Sequence, residues 1–212
     1  MISSFSALFT SPDYYGESTQ ISGLNYIALA IGYFLGSQIT SRVNDWLYAR
    51  LKKRNNGKGA PEFRVPLMFG CAVLLPIGFF WYGWSAEARL HWIMPDIGAA
   101  ILAGATIVGY QAIQTYVSIT LNLELSEGGL TMLQVIDAYT KFAASAVAAI
   151  TFLRSLAGFG FPLFAPNLYE ALGYGWGNSL LGFIAILIGV PAPLLFWHYG
   201  ARLRGNSQYA AG

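Results

Sequence analysis

Charged residues are scarce in this 212-residue chain, and their scarcity excludes an ordinary soluble domain. Asp, Glu, Lys and Arg make up 10% of the residues and apolar residues make up 55%, whereas a soluble domain carries about 25% charged residues. The formal net charge is only +2, which is too small for the basic surface of a nucleic-acid-binding protein. We therefore expect an integral membrane protein that lies in a lipid bilayer and binds no nucleic acid.

Cysteine and histidine are also scarce, which excludes several kinds of site. The single cysteine, Cys71, cannot form an internal disulfide. His91 and His198 lie at opposite ends of apolar segments, so they cannot share one metal ion. No nucleophile elbow, phosphate-binding loop or zinc-protease motif is present. We predict no cofactor, no metal site and no enzymatic activity.

Long uncharged segments dominate what remains, and they predict an all-α fold with five membrane-spanning helices. A bilayer core needs about 20 apolar residues per helix. Five segments between charged residues reach that length, with Arg154 as the only charge inside one of them. The predicted helices lie near 21–40, 66–85, 95–117, 137–163 and 177–198.

The distribution of Lys and Arg predicts how these helices cross the membrane. Most of the 12 basic residues lie between 42 and 65, at Lys141 or in the C-terminal tail. Cytoplasmic loops carry an excess of Lys and Arg. The sequence therefore predicts a cytoplasmic basic loop at 42–65, an N-terminus outside the cell and a C-terminus in the cytoplasm.

Four polar residues inside the predicted helices are candidates for a substrate or proton pathway. They are Asn25, Gln111, Gln114 and Arg154. A charged group at the centre of a span costs roughly 2.5–3.5 kcal/mol on insertion scales, so Arg154 needs a cavity or a partner to face. It could instead extend to the outer interface. We expect it to reach outward, towards Asp96.

Small residues and proline inside the helices predict close helix contacts. Gly32 and Gly36 form a small-xxx-small pair, which lets a neighbouring helix approach closely. Gly158, Gly160 and Pro162 form a second such region. One interpretation is tight packing with kinks that neighbouring helices satisfy, and another is helices that bend or rock during alternating access.

Several segments, read in order, resemble the C-terminal half of a fungal major facilitator superfamily transporter of the drug:proton antiporter type. The resemblance extends over about residues 15–204. The segments that carry it are GLNYIALAIGYFLGSQ (23–38), PEFRVPLM (61–68), LLPIGFFWYGW (74–84), HWIMPDIGAA (91–100), IDAYTKFAASA (136–146), FLRSLAGFGFPLFAP (152–166) and LGYGWGNSLL (172–181).

The resemblance implies a fold, a function and further candidate residues. The five predicted helices are similar to the eighth to twelfth of that family's twelve, so the chain would be a partial transporter half in one membrane domain, 1–212. The implied function is proton-coupled efflux of small organic molecules across the plasma membrane. The loop after the first predicted helix corresponds to a gating clasp, with Ser41 in place of its usual glycine. The gating candidates are Arg42, Asp45, Glu62 and Arg64.

The segment 117–134 departs from the family pattern. Homologues run from a sequence like Gln114-Thr115-Tyr116 directly into Asp-Ala-Tyr, which here begins at Asp137. Codons for this segment can contain a splice donor, a branch site and an acceptor, and its removal keeps the reading frame. Our hypothesis is a retained intron, and the alternative is a genuine lineage-specific loop.

Two functions from different classes remain open at this point. The first is a truncated half of an efflux transporter, which would act on a small organic substrate together with a missing N-terminal six-helix half. The alternative is a non-transporting membrane fragment or an interaction partner that needs a complementary half.

Overall fold

Six α-helices form the part of the chain that the computed structural model describes, residues 2–55, 63, 65–127 and 132–205. Those residues contain no strand, so the predicted all-α architecture is confirmed. The helices are α1 (Ile2–Thr10), α2 (Thr19–Arg54), α3 (Val65–Glu87), α4 (Ile93–Glu127), α5 (Met132–Gly189) and α6 (Pro191–Gly205).

The predicted spans map onto these helices in order. The first three predicted spans lie in α2, α3 and α4, and the fourth lies in α5. The fifth, 177–198, was predicted as one helix, but it is divided at Val190 between α5 and α6. Proline lacks a backbone N–H and is favoured in the first turn of a helix, so Pro191 starts a new helix instead of continuing α5.

Three helical segments are long and apolar enough to cross a membrane. They are Val65–Glu87, Ile93–Thr115 and Thr151–Tyr199. The last holds 49 residues and contains the whole predicted span 177–198 and residues 151–163 of the predicted span 137–163. The first predicted span falls short in mean hydropathy because α2 includes polar residues such as Asn25 and Gln38.

Helix α2 is longer than the span it contains. Its N-terminus is capped by the Ser18 side chain, which accepts a hydrogen bond from the Ile21 N–H at 3.4 Å. Its last turn carries Lys52, Lys53 and Arg54, and positive charge there is favourable beside the negative end of the helix dipole. Residues 42–54 of the predicted basic loop are therefore helical.

Two other predicted features are only partly described. Residues 56–62 and 64 of the basic loop are not described, and neither are the side chains of 116–147. The predicted insertion, 117–134, therefore lies outside the residues whose side chains the structure describes.

A tight turn joins α3 to α4. Arg89 has a φ of 49°, and the Leu90 N–H donates to the Ser85 carbonyl at 3.1 Å. The left-handed Arg89 and this hydrogen bond, which joins residues five apart, end α3 in a Schellman motif. Pro95 follows in the first turn of α4, where proline is favoured. The two helices therefore run antiparallel, and the C-terminus of α3 and the N-terminus of α4 lie on the same side of the bundle.

Helix α5 is broken at Gly173. This glycine has φ 69° and ψ 175°, a conformation that is strained for a residue with a Cβ. The Glu87 carboxylate accepts a hydrogen bond from the Gly175 N–H at 3.1 Å. The carboxylate thus satisfies a free N–H of the segment that restarts after the break and meets the positive end of its dipole. Helix α3 therefore positions the two halves of α5.

The bundle is centred on α3 and α4. Helix α4 packs against α2 and α3, and α3 also packs against α5. Elsewhere, large apolar side chains cover the surface: Phe152, Phe159 and Phe164 are each at least 67% exposed. So large an apolar surface marks a membrane or protein contact, and the fold is that of an integral membrane protein.

Candidate functional site

Two glycines bring α2 and α4 into direct backbone contact. Gly32 lies against Ala100, and an added Cβ would overlap the Ala100 carbonyl. An added Cβ on Gly36 would lie 2.8 Å from the Cα of Gly104. Residue numbers increase in the same direction along both helices, from the Gly32–Ala100 contact to the Gly36–Gly104 contact, so α2 and α4 are parallel here. We call these two backbone contacts the glycine seam.

A cavity opens between α2 and α4 at one end of the glycine seam. Its volume is about 640 Å³. We call it the acidic cavity, because two of its lining residues are carboxylates, Glu17 and Asp96. The other lining residues are Ile21, Leu24, Asn25, Ile27, Ala28, Ile31, Trp92, Ile93, Ile97 and Ala100. The lining is thus apolar apart from two carboxylates and one amide.

The polar groups of the acidic cavity differ in how well they are satisfied. Asn25 is buried and its Nδ2 donates to Glu17 Oε2 at 2.9 Å. Asp96 is only 7% exposed, and its Oδ1 has no hydrogen-bond partner. The first turn of a helix favours negative charge, so the position of Asp96 at the start of α4 compensates its burial in part.

Tyrosines of neighbouring elements lie within electrostatic range of Asp96. Tyr15 is in the segment between α1 and α2, and its hydroxyl donates to the Leu90 carbonyl at 2.8 Å. Burial, together with the negative charges of Asp96 and Glu17, raises the pKa of Tyr15 to about 12. Tyr82 of α3 is fully buried and also interacts electrostatically with Asp96. The acidic cavity therefore adjoins neutral phenols rather than cations.

A second cavity lies at the opposite end of the glycine seam. It has a volume of about 310 Å³, and we call it the amide cavity. Its lining residues are Thr40, Ser41, Asn44, Asp45, Gln111, Gln114 and Thr115. From Asn25 to Thr40 is 15 residues along α2, about 22 Å at 1.5 Å per residue. The acidic cavity and the amide cavity therefore lie at opposite ends of the glycine seam.

Both predicted glutamines lie in the amide cavity. The Gln111 amide donates to the Ser37 hydroxyl at 3.1 Å across the α2–α4 contact. The Gln114 amide donates to the Tyr110 hydroxyl at 2.6 Å. The buried Asn44 Oδ1 has no hydrogen-bond partner. Among the pathway candidates, Asn25 alone lies in the acidic cavity.

Arg154 lies near the amide cavity rather than where we expected it. Its guanidinium carbon is 5.0 Å from the centroid of the Tyr110 ring, in the range of a cation–π contact. The prediction that Arg154 reaches Asp96 is therefore wrong for this structure. Tyr110 is 14 residues beyond Asp96 along α4, about 21 Å at 1.5 Å per residue.

Of the residues predicted to form close helix contacts, some do so in the structure and others do not. Gly32 and Gly36 form the glycine seam, whereas a Cβ on Gly158 or Gly160 would meet no atom of the described chain within 4 Å. Pro162 is exposed as well. The described helices leave this face of α5 uncovered.

The gating candidates are only partly described. Arg42 and Asp45 are exposed on the last part of α2, and Asp45 lines the amide cavity. Glu62 and Arg64 lie outside the described residues. In the part of the chain that is described, no cluster of three or more His, Cys, Asp or Glu residues could hold a metal ion.

The sequence did not indicate the acidic cavity. Asp96 was predicted only as a partner for Arg154, and neither it nor Glu17 was a pathway candidate. The available signal was a carboxylate directly after Pro95, where α4 starts inside apolar sequence. Tyr110 was also missed, because an aromatic residue in an apolar helix gives no sign of which side chain covers its ring.

The chain is similar over nearly its whole length to curated fungal transport proteins. It is 50% identical over 198 residues to the efflux pump vrtL of Penicillium aethiopicum, which covers 93% of this chain and 36% of that protein. It is 44% identical over 206 residues to the MFS-type transporter oryF of Aspergillus oryzae, which covers 97% of this chain and 39% of that protein. The chain thus spans less than half the length of these relatives. No family model and no solved structure matches it.

Proposed function

We propose that this chain, a relative of the fungal major facilitator superfamily transporters that corresponds to part of their C-terminal half, serves in the efflux of small organic molecules. The observation that carries the proposal is the 50% identity to an efflux pump over 93% of the chain. The match extends over 198 residues, far more than one apolar helix. A transport role follows from the family, and the direction of transport follows from the relatives named as efflux pumps.

The two cavities support this proposal from the residues themselves. A transporter of this class binds substrate near the interface of two helical repeats, in cavities that contain a few polar groups. The acidic cavity and the amide cavity lie on the same pair of helices. Polar side chains inside membrane helices are costly and mark substrate or ion pathways. We propose that Asn25, Gln111, Gln114 and Arg154 contribute to such a pathway.

The coupling ion, the membrane and the orientation are finer parts of the proposal. We propose proton-coupled efflux at the plasma membrane, as the resemblance to drug:proton antiporters implies. The basic end of α2, with Lys52, Lys53 and Arg54, would then lie in the cytoplasm by the positive-inside rule. Arg42, Asp45, Glu62 and Arg64 would form the gating clasp on that side.

A complete transport cycle would need more helices than this chain supplies. Alternating access requires two bundles that move around one central site, and the chain spans 36% of the relative vrtL. We propose that the functional unit includes an N-terminal six-helix half. We also keep the hypothesis that 117–134 is a retained intron. Transcript sequencing tests it, since messages that mostly keep the segment contradict it.

A chimeric transporter tests the proposed function directly. The corresponding C-terminal part of vrtL is replaced by residues 1–212 of this chain, in one version complete and in another without 117–134. Both are expressed in yeast that lacks its own efflux pumps, and cellular accumulation of a fluorescent organic substrate of vrtL is measured. We expect the version without 117–134 to lower accumulation as vrtL does.

Matched controls separate transport from mere insertion. Residues 1–212 expressed alone should leave accumulation as in cells with an empty vector. The chimera carrying Gly23→Ala should export normally, because a Cβ there meets nothing within 4 Å. If both chimeras reach the membrane at the level of vrtL and neither exports, the transport proposal is refuted and a non-transporting membrane protein is the better description.

A further inference from the structure

Arg154 is a charged side chain on an exposed, apolar part of α5. Arg154 itself is exposed, and its neighbours Phe152, Leu156 and Phe161 are 57–67% exposed. The guanidinium carbon lies 5.0 Å from the centroid of the Tyr110 ring, which attracts the positive charge. Among the described residues, the guanidinium forms no ion pair and no hydrogen bond. Because a guanidinium carries five N–H donors, it needs oxygen acceptors that the described chain does not supply.

Two distances along the helices place Arg154 near one boundary of the hydrocarbon core. From Arg154 to the break at Gly173 is 19 residues along α5, about 28 Å at 1.5 Å per residue. From Tyr110, beside Arg154, to Ile93 at the start of α4 is 17 residues, about 25 Å. Both distances start from the same end of the bundle, since the end of α3 contacts the break in α5. The hydrocarbon core is about 30 Å thick, so Arg154 lies close to the opposite boundary, where lipid phosphates lie.

The surface of α5 beyond Arg154 has room for an acyl chain. Gly158 and Phe161 are four and seven residues after Arg154, so they lie on the same face of the helix. An added Cβ on Gly158 would meet no atom of the described chain within 4 Å, and Phe161 is 59% exposed. Both residues lie between Arg154 and Gly173, which is the direction of the bilayer centre. The charge at Arg154 therefore continues into an open apolar surface.

We propose that Arg154 binds the headgroup phosphate of an anionic phospholipid. The planar guanidinium presents its N–H groups as a fork that matches the oxygens of a phosphate, and such charge-assisted pairs are the stronger hydrogen bonds. The Tyr110 ring would hold the guanidinium from one side, and an acyl chain would lie against Gly158 and Phe161. In the proposed orientation this boundary belongs to the cytoplasmic leaflet, which carries the anionic lipids.

This inference deepens the proposed function and rests on its orientation for the choice of leaflet. It makes the contribution of Arg154 to the pathway indirect, because the residue would hold a lipid near the amide cavity instead of contacting the substrate. Lipid binding is a property of this chain and is measured without transport. Failure of the chimera to export would refute the proposed function alone, and failure of the chain to bind the lipid would refute this inference alone.

The test is equilibrium binding of matched lipids to the purified chain in dodecyl maltoside, a detergent without a phosphate. Phosphatidylserine and phosphatidylcholine with the same acyl chains are titrated separately, and native mass spectrometry measures the fraction of chain with one bound lipid. Both lipids contain a phosphate, but the choline ammonium neutralises it, whereas phosphatidylserine keeps a net negative charge. We expect phosphatidylserine to bind at least about tenfold more tightly, where tenfold corresponds to 1.4 kcal/mol.

Charge-removing variants locate the lipid site. Arg154→Gln should weaken phosphatidylserine binding about tenfold, and Arg154→Lys should lose less because it keeps the charge without the planar fork. Arg50→Gln is the matched control. Arg50 is also an exposed arginine over an aromatic ring, 5.1 Å from the centroid of Trp46, but it lies beyond the predicted span of α2. Its replacement should leave the affinity for the first lipid unchanged. Circular dichroism confirms that each variant is folded.

Contrary results are equally specific. Equal binding of the two lipids, or unchanged phosphatidylserine binding by folded Arg154→Gln, would overturn the inference. An equal loss in Arg50→Gln would overturn it as well, since it would show a diffuse attraction to basic residues. Inorganic phosphate that competes as strongly as phosphatidylserine would assign Arg154 to a free anion instead of a lipid. The chimera with the facing half should bind phosphatidylserine as the chain alone does, and lost binding there would show that protein covers Arg154.

Discussion

Replacing Gly36 by alanine adds one methyl group at the closest approach of α2 and α4. The new Cβ would lie 2.8 Å from the Cα and carbonyl oxygen of Gly104, where ordinary contact begins at 3.4 Å. Backbone atoms cannot rotate away as a side-chain end can, so the two helices must separate by about half an ångström. At Gly32 the overlap with the Ala100 carbonyl is larger.

The magnitude follows from what holds these helices together. Association in lipid depends on close packing and interhelical hydrogen bonds. Adding a methylene to a well-packed contact costs typically about 1–3 kcal/mol. Separation also strains the hydrogen bond from Gln111 to Ser37, 3.1 Å across the same contact. We expect Gly36→Ala to destabilise the chain by about 1–3 kcal/mol and Gly32→Ala by the same or more.

Gly23 provides the matched control on the same helix. A Cβ there would meet nothing within 4 Å, and alanine is favoured over glycine in a helix by about 1 kcal/mol. Gly23→Ala should therefore be neutral or stabilising. The assay is unfolding of the purified chain in dodecyl maltoside by increasing fractions of sodium dodecyl sulfate, followed by circular dichroism. If Gly36→Ala and Gly32→Ala unfold at the same detergent fraction as the parent, the glycine seam is not a stabilising contact. An equal loss in Gly23→Ala would show that the effect comes from the helix itself.

Three further predictions concern other parts of the bundle. Glu87→Ala should destabilise the chain by about 1 kcal/mol in the same assay, because the Gly175 N–H loses its acceptor; an unchanged transition would show that this contact contributes nothing. Tyr110→Leu should cost about 0.5–1 kcal/mol through loss of the ring under Arg154, while Tyr110→Phe keeps the ring and should cost less, so equal losses would contradict the cation–π contact. Glycosylation acceptors placed within 50–60 should stay unmodified in cells, because this segment is proposed to be cytoplasmic; modified acceptors would reverse the orientation.

Sequence alone located the helices because the bilayer limits what an apolar segment can do. A charge-free run of about 20 residues is long enough for a membrane helix, and each of the first three predicted spans lies within one helix, α2, α3 or α4. The ends were less predictable. Helix α2 continues to Arg54 since nothing between the lipid boundary and that residue breaks a helix. The division at Val190 depends on Pro191, the first residue of α6.

The candidate site was predictable only where one helix carried the information. Gly32 and Gly36 lie on one face because they are four residues apart, and so do Gln111 and Gln114, which are three apart. The acidic cavity needs residues from two helices and from the segment before α2. Their meeting depends on the relative register of α2 and α4, which no single segment specifies. Arg154 was misplaced for the same reason, since its depth depends on where α5 begins.

The glycine seam restricts the route that any permeating molecule could take. Its backbone contacts at Gly32 and Gly36 hold α2 and α4 together between the acidic cavity, whose lining reaches Ile31, and the amide cavity, whose lining begins at Thr40, about 14 Å further along α2. A solute that moved from the amide cavity to the acidic cavity could not pass between these helices while they stay paired. It would have to move along their shared outer face, which a facing bundle would have to enclose. In the proposed transporter, this parallel pair would form one wall of the pathway, and the facing bundle would have to supply the opposite wall.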